Sequence, residues 1–170
     1  VPAAEENLPV LYNKTVFQFL KWQHISSIDF SALDISSVGA DRLANIAAAA
    51  ALFPAKDVLV LDCGTCVTAE FIDAESRFLG GFIMPGRRLQ RQALNSFTAR
   101  LPQIALSEHR PELLGRTTEQ AIQFGVDGLG ALALKSYVLQ MRESYKNLHL
   151  CLTGGDATFF AQYLEGCDVV

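Results

Sequence analysis

The chain has 170 residues, of which half are apolar and 19% are charged, and its formal net charge at pH 7 is −4. This length is sufficient for one compact domain with a hydrophobic core. The largest basic cluster is the pair Arg87-Arg88, which argues against nucleic acid as a partner because phosphate backbones bind to basic surfaces. No apolar run is long enough to cross a bilayer, so we expect no membrane partner either.

Residue periodicity predicts that helices and strands alternate along the chain. Pro2 and the residues after it favour a short helix, and the Ala-rich residues 41–53, which contain no Gly or Pro, predict a tightly packed one. Three strands with short connections then predict an antiparallel meander. They cover residues 57–62, 67–73 and 78–84.

The second half of the chain returns to helical spacing. Residues 87–98 predict a helix whose apolar face is formed by Leu89, Ala93, Leu94 and Phe97. Thr117 and Gln120 have the spacing of a capping box, which predicts the start of a long helix over residues 117–144.

The last part of the chain completes the predicted order. A fourth strand over residues 148–152, a helix over 157–164 and a further strand beginning at Asp168 follow the long helix. The resulting order of strands and helices is that of a ribonuclease-H-like α/β domain with a mixed sheet and helices on its faces. Proteins of the superfamily of actin, sugar kinases and Hsp70 chaperones contain two such domains that close around ATP. We expect this chain to belong to that superfamily, mainly on the motifs described below.

The segment Asp62-Cys63-Gly64-Thr65 follows the first predicted strand. Glycine allows backbone N–H groups to approach phosphate oxygens, a threonine hydroxyl can donate a hydrogen bond, and a carboxylate can hold a cation. An ordinary hairpin whose Asp62 caps the turn would look the same. This motif by itself therefore leaves both interpretations open.

A second glycine turn, Gly154-Gly155, joins a strand to a helix. Such turns direct helix N–H groups towards an anion, although many strand–helix turns in α/β proteins bind nothing. Two glycine turns, each directly after a buried strand, together favour a nucleotide site. No P-loop signature is present in the sequence.

The segment Gly39-Ala40-Asp41-Arg42 lies at the start of the Ala-rich helix. Asp41 can simply favour the helix N-terminus, with Arg42 as a solvated partner. The functional interpretation is that Asp41 accepts the proton of an attacking hydroxyl while Arg42 holds a substrate carboxylate or phosphate.

Cys63 and Cys66 form a C-x-x-C pair, which occurs in redox sites and in half of a zinc site. The sequence contains no second half for a zinc site, and both residues lie next to strand-like runs. We therefore favour packing as small apolar residues over metal or redox chemistry. Reduced thiols also favour a cytoplasmic protein.

Six motifs occur in one order and resemble those of the type III pantothenate kinases, the family that also includes the Bvg accessory factors. Each motif is weak alone, and their order and spacing make the resemblance specific. They are Gly39-Ala40-Asp41-Arg42, Asp62-Cys63-Gly64-Thr65, Gly80-Gly81-x-Ile83-x-Pro85-Gly86, Leu101-Pro102, Gly115-Arg116-Thr117-Thr118 and Thr153-Gly154-Gly155-Asp156-Ala157.

The resemblance implies ATP-dependent phosphorylation of pantothenate, the first step towards coenzyme A. It implies that Asp41 is the catalytic proton acceptor and that the pantothenate pocket is lined by Gly39, Ala40, Asp41 and Arg42. A non-catalytic regulatory paralogue of the accessory-factor type is the alternative, followed by another ATPase of the superfamily. Intact Asp41, Asp62 and Thr65 argue against the regulatory alternative.

The resemblance also implies cofactors and a partner subunit. Asp62 would bind an activating monovalent cation, potassium or ammonium, and Thr65 would contact ATP, which carries magnesium. Thr118 would contact pantothenate from across the interface of a homodimer.

Two features depart from the family pattern. The Asp-x-Gly-Asn phosphate loop that opens the family's first half-domain does not occur before Gly39. We therefore expect residues 1–38 to be the end of that half-domain and a connecting segment, residues 39–170 to be the C-terminal half-domain, and the chain alone to turn over ATP poorly. The family's pocket aromatic corresponds to Ala32, and the nearest aromatic is Phe30.

Overall fold

The computed structural model describes residues 20–170, so the helix predicted after Pro2 lies outside the described residues. Five strands in this part of the chain form one mixed sheet of order β3-β2-β1-β4-β5. β1 pairs antiparallel with β2 and parallel with β4, β2 pairs antiparallel with β3, and β4 pairs parallel with β5. This confirms the predicted ribonuclease-H-like fold. The strands are β1 (Val58–Cys63), β2 (Cys66–Ile72), β3 (Phe78–Pro85), β4 (His149–Thr153) and β5 (Cys167–Val169).

Helices cover both faces of the sheet, which explains why β1 is a continuous apolar run rather than an alternating one. The main helices are α1 (Ala40–Leu52), α2 (Arg87–Ser96), α3 (Thr118–Gln123), α4 (Leu129–Ser144) and α5 (Ala157–Ala161). Short 3-10 turns lie at Trp22–His24 and Ile35–Ser37.

Alternate residues of the strands point into two separate cores. On one face, Leu59 and Leu61 of β1 pack with Leu134 and Val138 of α4. On the other face, Val58 and Val60 pack with apolar residues of α1. Phe30 belongs to the second core and meets the Phe78 ring edge to face, with 6.2 Å between the ring centroids.

The buried face of α2 differs from the predicted one. Phe97, at the C-terminal end of the helix, is 88% exposed, whereas Arg87 and Arg91 are each only 1% exposed. Both arginines bind the buried carboxylate of Asp127, so ion pairing rather than apolar packing selects the face that turns inwards. The prediction of an inward apolar face ending at Phe97 was therefore wrong.

The long helix predicted over residues 117–144 is present but is interrupted by a π-helical turn, Phe124–Gly128. The predicted capping interaction is half confirmed, because Thr117 Oγ1 accepts a hydrogen bond of 3.2 Å from the Gln120 N–H. The Gln120 side chain, however, accepts from the N–H of Arg116 at 2.8 Å rather than from that of Thr117.

The C-terminal elements match their predictions in kind. α5 is shorter than predicted, and β5 begins one residue before Asp168. Among the described residues, no helix combines the length and the apolar character needed to span a bilayer.

Candidate functional site

Three turns meet at one edge of the sheet, after the C-terminal ends of β1, β3 and β4. The Gly86 N–H donates to the carbonyl of Thr65 at 2.9 Å, and the Asp156 N–H donates to the carbonyl of Cys63 at 2.8 Å. The two glycine turns identified in the sequence therefore lie side by side, joined through the end of β1.

Glycine is required at two of these contacts. A Cβ at Gly154, where φ is +90°, would lie 2.6 Å from the carbonyl oxygen of Cys63. A Cβ at Gly86 would lie 2.1 Å from the carbonyl oxygen of Gly64. No side chain fits at either position, so the three turns can approach closely only through bare backbone.

A cavity of about 530 Å³ opens between these turns. Its wall carries exposed backbone from both glycine turns, one hydroxyl, one guanidinium and two carboxylates, so it offers groups for both an anion and its counter-ion. The lining residues are Gly64, Thr65, Arg88, Leu106, Glu108, Gly155 and Asp156. Thr65, predicted to contact ATP, thus faces this cavity, and Arg88 was not anticipated in the site.

Asp62 lies half-buried at the end of β1, just before Gly64 and Thr65, which line the cavity. Its Oδ2 atom accepts a hydrogen bond of 3.2 Å from Asn45 Nδ2 on α1. Its Oδ1 atom would lie 2.6 Å from a Cβ at Gly154. Asn45 was missed in the sequence, where an isolated Asn four residues after Asp41 in an Ala-rich helix was the available signal.

The Gly39–Arg42 segment forms the N-terminal turn of α1, with Gly39 as the N-cap residue. Asp41 is exposed, and its Oδ1 atom accepts a hydrogen bond of 2.9 Å from the Arg42 N–H. A Cβ at Gly39 would lie 2.5 Å from that Oδ1 atom, so glycine leaves room for the carboxylate to fold back.

Arg42 turns away from solvent and binds Glu70 on β2. Its Nε donates to Glu70 Oε1 at 2.7 Å, and its Nη2 lies 3.5 Å from the carbonyl oxygen of Ala69. Glu70 is fully buried, and this burial raises the pKa of its carboxyl group, against the opposing effect of Arg42. This pair could not be anticipated from the sequence, because a polar residue such as Glu70 is ordinary in a strand of alternating pattern.

Thr118 is the first residue of α3, and it is exposed. No hydrogen bond or ion pair within residues 20–170 connects it to Asp41, Arg42 or Asp62. The remaining predicted site residues lie on α1 and at the end of β1, which Asn45 joins.

The C-x-x-C pair is not a disulfide, because all four cysteines are free. Cys63 is packed in the core, and burial, followed by the charges of Asp62 and Asp156, raises the pKa of its thiol to about 12. Within the described part of the chain, no cluster of His, Cys, Asp and Glu side chains could hold a metal ion. The burial of Cys63 among core residues agrees with the packing favoured from the sequence.

Buried ion pairs hold Asp156, one of the residues that line the cavity. Arg87 binds Asp127 through Nε at 2.9 Å and Asp156 through Nη1 at 3.0 Å, and its guanidinium lies 3.6 Å from the centre of the Phe159 ring. Arg91 binds the same Asp127 at 2.5 Å. The network ties the second glycine turn to α2 and to the π-helical turn.

Comparison with known proteins identifies relatives of this chain. A sequence model described as type III pantothenate kinase matches residues 1–138. The type III pantothenate kinase of Phocaeicola vulgatus is 43% identical over 129 residues, which cover 76% of this chain and 53% of that protein. The corresponding protein of Flavobacterium johnsoniae is 39% identical over 129 residues, covering 76% of this chain and 52% of that protein.

A solved structure has a similar fold. It is described as a Baf family transcriptional activator from Campylobacter jejuni, and it matches with a TM-score of 0.62 and 24% identity over 98% of this chain and 71% of that one. At this identity the similarity supports the fold alone. The chain spans about half the length of the curated relatives it matches. The family match covers most of the chain, including α1, the β1–β3 meander and α3, and the chain belongs to the type III pantothenate kinase family.

Proposed function

We propose that the protein containing this chain transfers the γ-phosphoryl group of ATP to the primary hydroxyl of pantothenate. The observation that carries the proposal is the hydrogen bond between Asn45 and Asp62. It connects the helix that begins at the Gly39–Arg42 segment to the strand end that borders the cavity. In phosphoryl transfer the attacking and leaving oxygens lie nearly in line, so the acceptor site and the nucleotide site must be adjacent. A link between the start of α1 and the end of β1 is consistent with that requirement.

Asp41 is proposed as the proton acceptor. Its Oδ1 atom is held by the Arg42 N–H, which leaves Oδ2 free of hydrogen bonds within the described residues. An exposed carboxylate with one fixed oxygen can orient a hydroxyl with the other and take its proton as the new bond to phosphorus forms. Because the transition state of phosphoryl transfer is loose, the base needs mainly to be correctly positioned and does not need to be strongly basic.

The cavity is proposed to hold the triphosphate, which carries magnesium. The Thr65 hydroxyl and the backbone of Gly64 and Gly155 are suitable donors to phosphate oxygens. Gly39, Ala40, Asp41 and Arg42 would line the pantothenate side. Arg42 would hold the acidic group of that substrate.

A monovalent cation, potassium or ammonium, is proposed to bind beside Asp62. The Asp62 Oδ1 atom makes no hydrogen bond within residues 20–170, and the facing strand residue Thr68 has a buried hydroxyl without a hydrogen-bond partner there. Carboxylate and hydroxyl oxygens suit such an ion, so Asp62 and Thr68 would hold it. When bound, the cation supplies positive charge next to the phosphates.

A homodimer would complete the site. Thr118 is proposed to contact pantothenate bound to the other subunit, because it is exposed and makes no hydrogen bond or ion pair with Asp41 within residues 20–170. The adjoining segment carries Leu113 and Leu114, which are 73% and 80% exposed and suit an interface. We also propose that residues 39–170 form one half-domain, that residues 1–38 belong to the other half and its connection, and that the protein is cytoplasmic.

The test is ADP release by the protein expressed with all the coding sequence that flanks this chain. Release that requires both pantothenate and potassium is expected, and Asp41→Asn should lower kcat by about 100-fold or more. The variant should fold normally because Asp41 is exposed and asparagine can still accept from the Arg42 N–H. ATP binding by a folded protein without pantothenate-dependent release would refute the kinase and favour a regulatory role.

A further inference from the structure

Glu70 is a buried acid that the proposed transfer step does not use. It occupies the interior of β2 and is 0% exposed, a position that would ordinarily hold an apolar residue. Its Oε1 atom binds Arg42, while its Oε2 atom is buried and has no hydrogen-bond partner within the described residues. A carboxylate kept in such a place is costly, so its hydrogen bond with Arg42, the first of the side-chain interactions that oppose the rise in its pKa, is informative.

The neighbouring strand packs closely against the backbone of β2 at this contact. Glu70 is directly opposite Gly81 of β3 in the antiparallel register. A Cβ at Gly81 would lie 1.6 Å from the carbonyl oxygen of Ala69, the same oxygen that Arg42 Nη2 approaches at 3.5 Å. The absence of a side chain at Gly81 thus allows the backbone to close up where the guanidinium is held.

The contact with Glu70 fixes the Nε side of the Arg42 guanidinium and leaves its Nη1–Nη2 edge available for another partner. Nε is bound to Glu70 at 2.7 Å, Nη2 has only the long contact to Ala69, and Nη1 makes no hydrogen bond within residues 20–170. The Arg42 side chain keeps 16% of its surface exposed. An arginine held at Nε can still bind a carboxylate through Nη1 and Nη2, which is the geometry of a bidentate pair.

We infer that Glu70 is a positioning residue of the acceptor site, which fixes Arg42 so that its Nη1–Nη2 edge receives the carboxylate of pantothenate. The inference rests on the proposed function. Glu70 touches neither substrate. Its effect passes through Arg42, which is adjacent in sequence to the proposed proton acceptor Asp41.

The experiment is steady-state kinetics on the full protein with Glu70→Gln and Glu70→Asp. Glutamine keeps the size of the side chain but removes its charge, so the KM for pantothenate should rise by about tenfold, the loss of one hydrogen bond between charged groups. The KM for ATP should stay unchanged. Glu70→Asp, which keeps the charge, should recover part of the affinity for pantothenate.

Two further variants separate positioning from simple stabilisation. Asp73→Asn removes another buried acid of the same hairpin, which binds Arg77 at 2.6 Å and lies outside the site. It should lower stability without changing either KM. In an Arg42→Lys background, Glu70→Gln should add no further rise in the KM for pantothenate, because the residue it acts through has been replaced.

Several outcomes overturn the inference. They are an unchanged pantothenate KM in folded Glu70→Gln, an equal rise in the KM for ATP, and a full additional effect in the Arg42→Lys background. If Glu70→Gln does not fold, Glu70→Asp carries the test, and an unchanged pantothenate KM then overturns the inference. A wild-type protein without pantothenate-dependent ADP release would instead refute the proposed function, so the two failures are distinguishable.

Discussion

Gly154 lies directly against Asp62, so that a Cβ at residue 154 would lie 2.6 Å from the Asp62 Oδ1 atom. The contact joins the turn after β4 to the end of β1, the strand at the centre of the sheet. Two of the sequence motifs are therefore one structural unit, and glycine is needed where they meet because φ is +90° there.

Gly154→Ala and Gly155→Ala should have different effects although they are adjacent. Gly154→Ala should lower the free energy of unfolding by about 1–3 kcal/mol, because it forces a residue with a side chain into a left-handed backbone conformation. A Cβ at Gly155 would meet nothing within 4 Å. Gly155→Ala should therefore keep stability and, because Gly155 lines the cavity, weaken ATP binding by about tenfold.

Urea unfolding and titration with ATP would measure both effects. Unchanged stability in Gly154→Ala would contradict the close contact between the turns, and a loss of stability in Gly155→Ala would contradict the open space around Gly155. Unchanged ATP affinity in Gly155→Ala would show that the nucleotide does not use this cavity.

Asp127→Asn should be among the most destabilising substitutions. Asp127 is 1% exposed and binds both Arg87 and Arg91, so its loss leaves two buried guanidinium groups short of a counter-charge. We expect the free energy of unfolding to fall by about 3–5 kcal/mol. Glu75→Gln, which breaks an exposed pair with Arg77 at 3.3 Å, should change it by less than about 1 kcal/mol.

Chemical denaturation of the two variants under one set of conditions provides the comparison. A small effect of Asp127→Asn would mean that water or a rearranged carboxylate replaces Asp127 in the network.

Alkylation should distinguish the two cysteines of the C-x-x-C pair. Cys63 is buried with its pKa raised to about 12, whereas Cys66 is only partly buried. At pH 8 a thiol with such a pKa is ionised in about one molecule in ten thousand, so the native protein should react with iodoacetamide at Cys66 well before Cys63. Mass spectrometry of timed samples would show the order, and equal labelling in the folded protein would contradict the packing of Cys63.

Glu70 should make stability fall as pH rises. Burial raises its pKa in the folded state above the ordinary value of 4.5, so the folded chain binds more protons than the unfolded chain between these two values. The free energy of unfolding of the wild type, relative to Glu70→Gln, should therefore decrease from pH 4.5 upwards, by at most about 1.4 kcal/mol per pH unit.

Asp29→Asn is the matched control, with the opposite sign. A backbone hydrogen bond from Ser31 lowers the pKa of Asp29, so its contribution to stability is present above the unfolded pKa and is lost as pH falls. Denaturation from about pH 2 to pH 7 would reveal both slopes, because the Asp29 effect lies below its ordinary pKa of 3.8 and the Glu70 effect above 4.5. A wild-type curve parallel to that of Glu70→Gln would mean that Arg42 fully compensates the burial of Glu70.

Local patterns predicted the elements and their order well. Periodicity located β1 and α1 within one residue at each end, because a short apolar run and an Ala-rich stretch are local signals. The two glycine turns lie close together because each follows a strand, and the parallel strands β1 and β4 end at the same edge of the sheet. Thr65 lines the cavity because it lies in the first of these turns, and Asp62 lies at the strand end just before that turn.

The missed features depend on partners far away in sequence. The sequence cannot show that Arg87 and Arg91 point inwards, because Asp127, the residue that makes this favourable, lies on another helix. Asp127 also lies within the π-helical turn that interrupts the long helix. The sequence also could not show whether Phe30, the aromatic nearest to the family's pocket position, lies in a pocket or in the core. Its place in the core depends on contact with Phe78, which is far away in sequence.

The parallel pairing of β1 with β4 has a consequence for the time course of folding. It joins residue 58 to residue 149, and the intervening chain must be closed into a loop before the pairing can form. The antiparallel hairpin of β1 and β2 connects residues close in sequence and forms at a lower entropic cost. In a refolding experiment we therefore expect the meander to gain protection from hydrogen exchange first. The capacity to bind nucleotide should appear only in the last phase, when β4 docks and carries Gly154 and Gly155 to the end of β1.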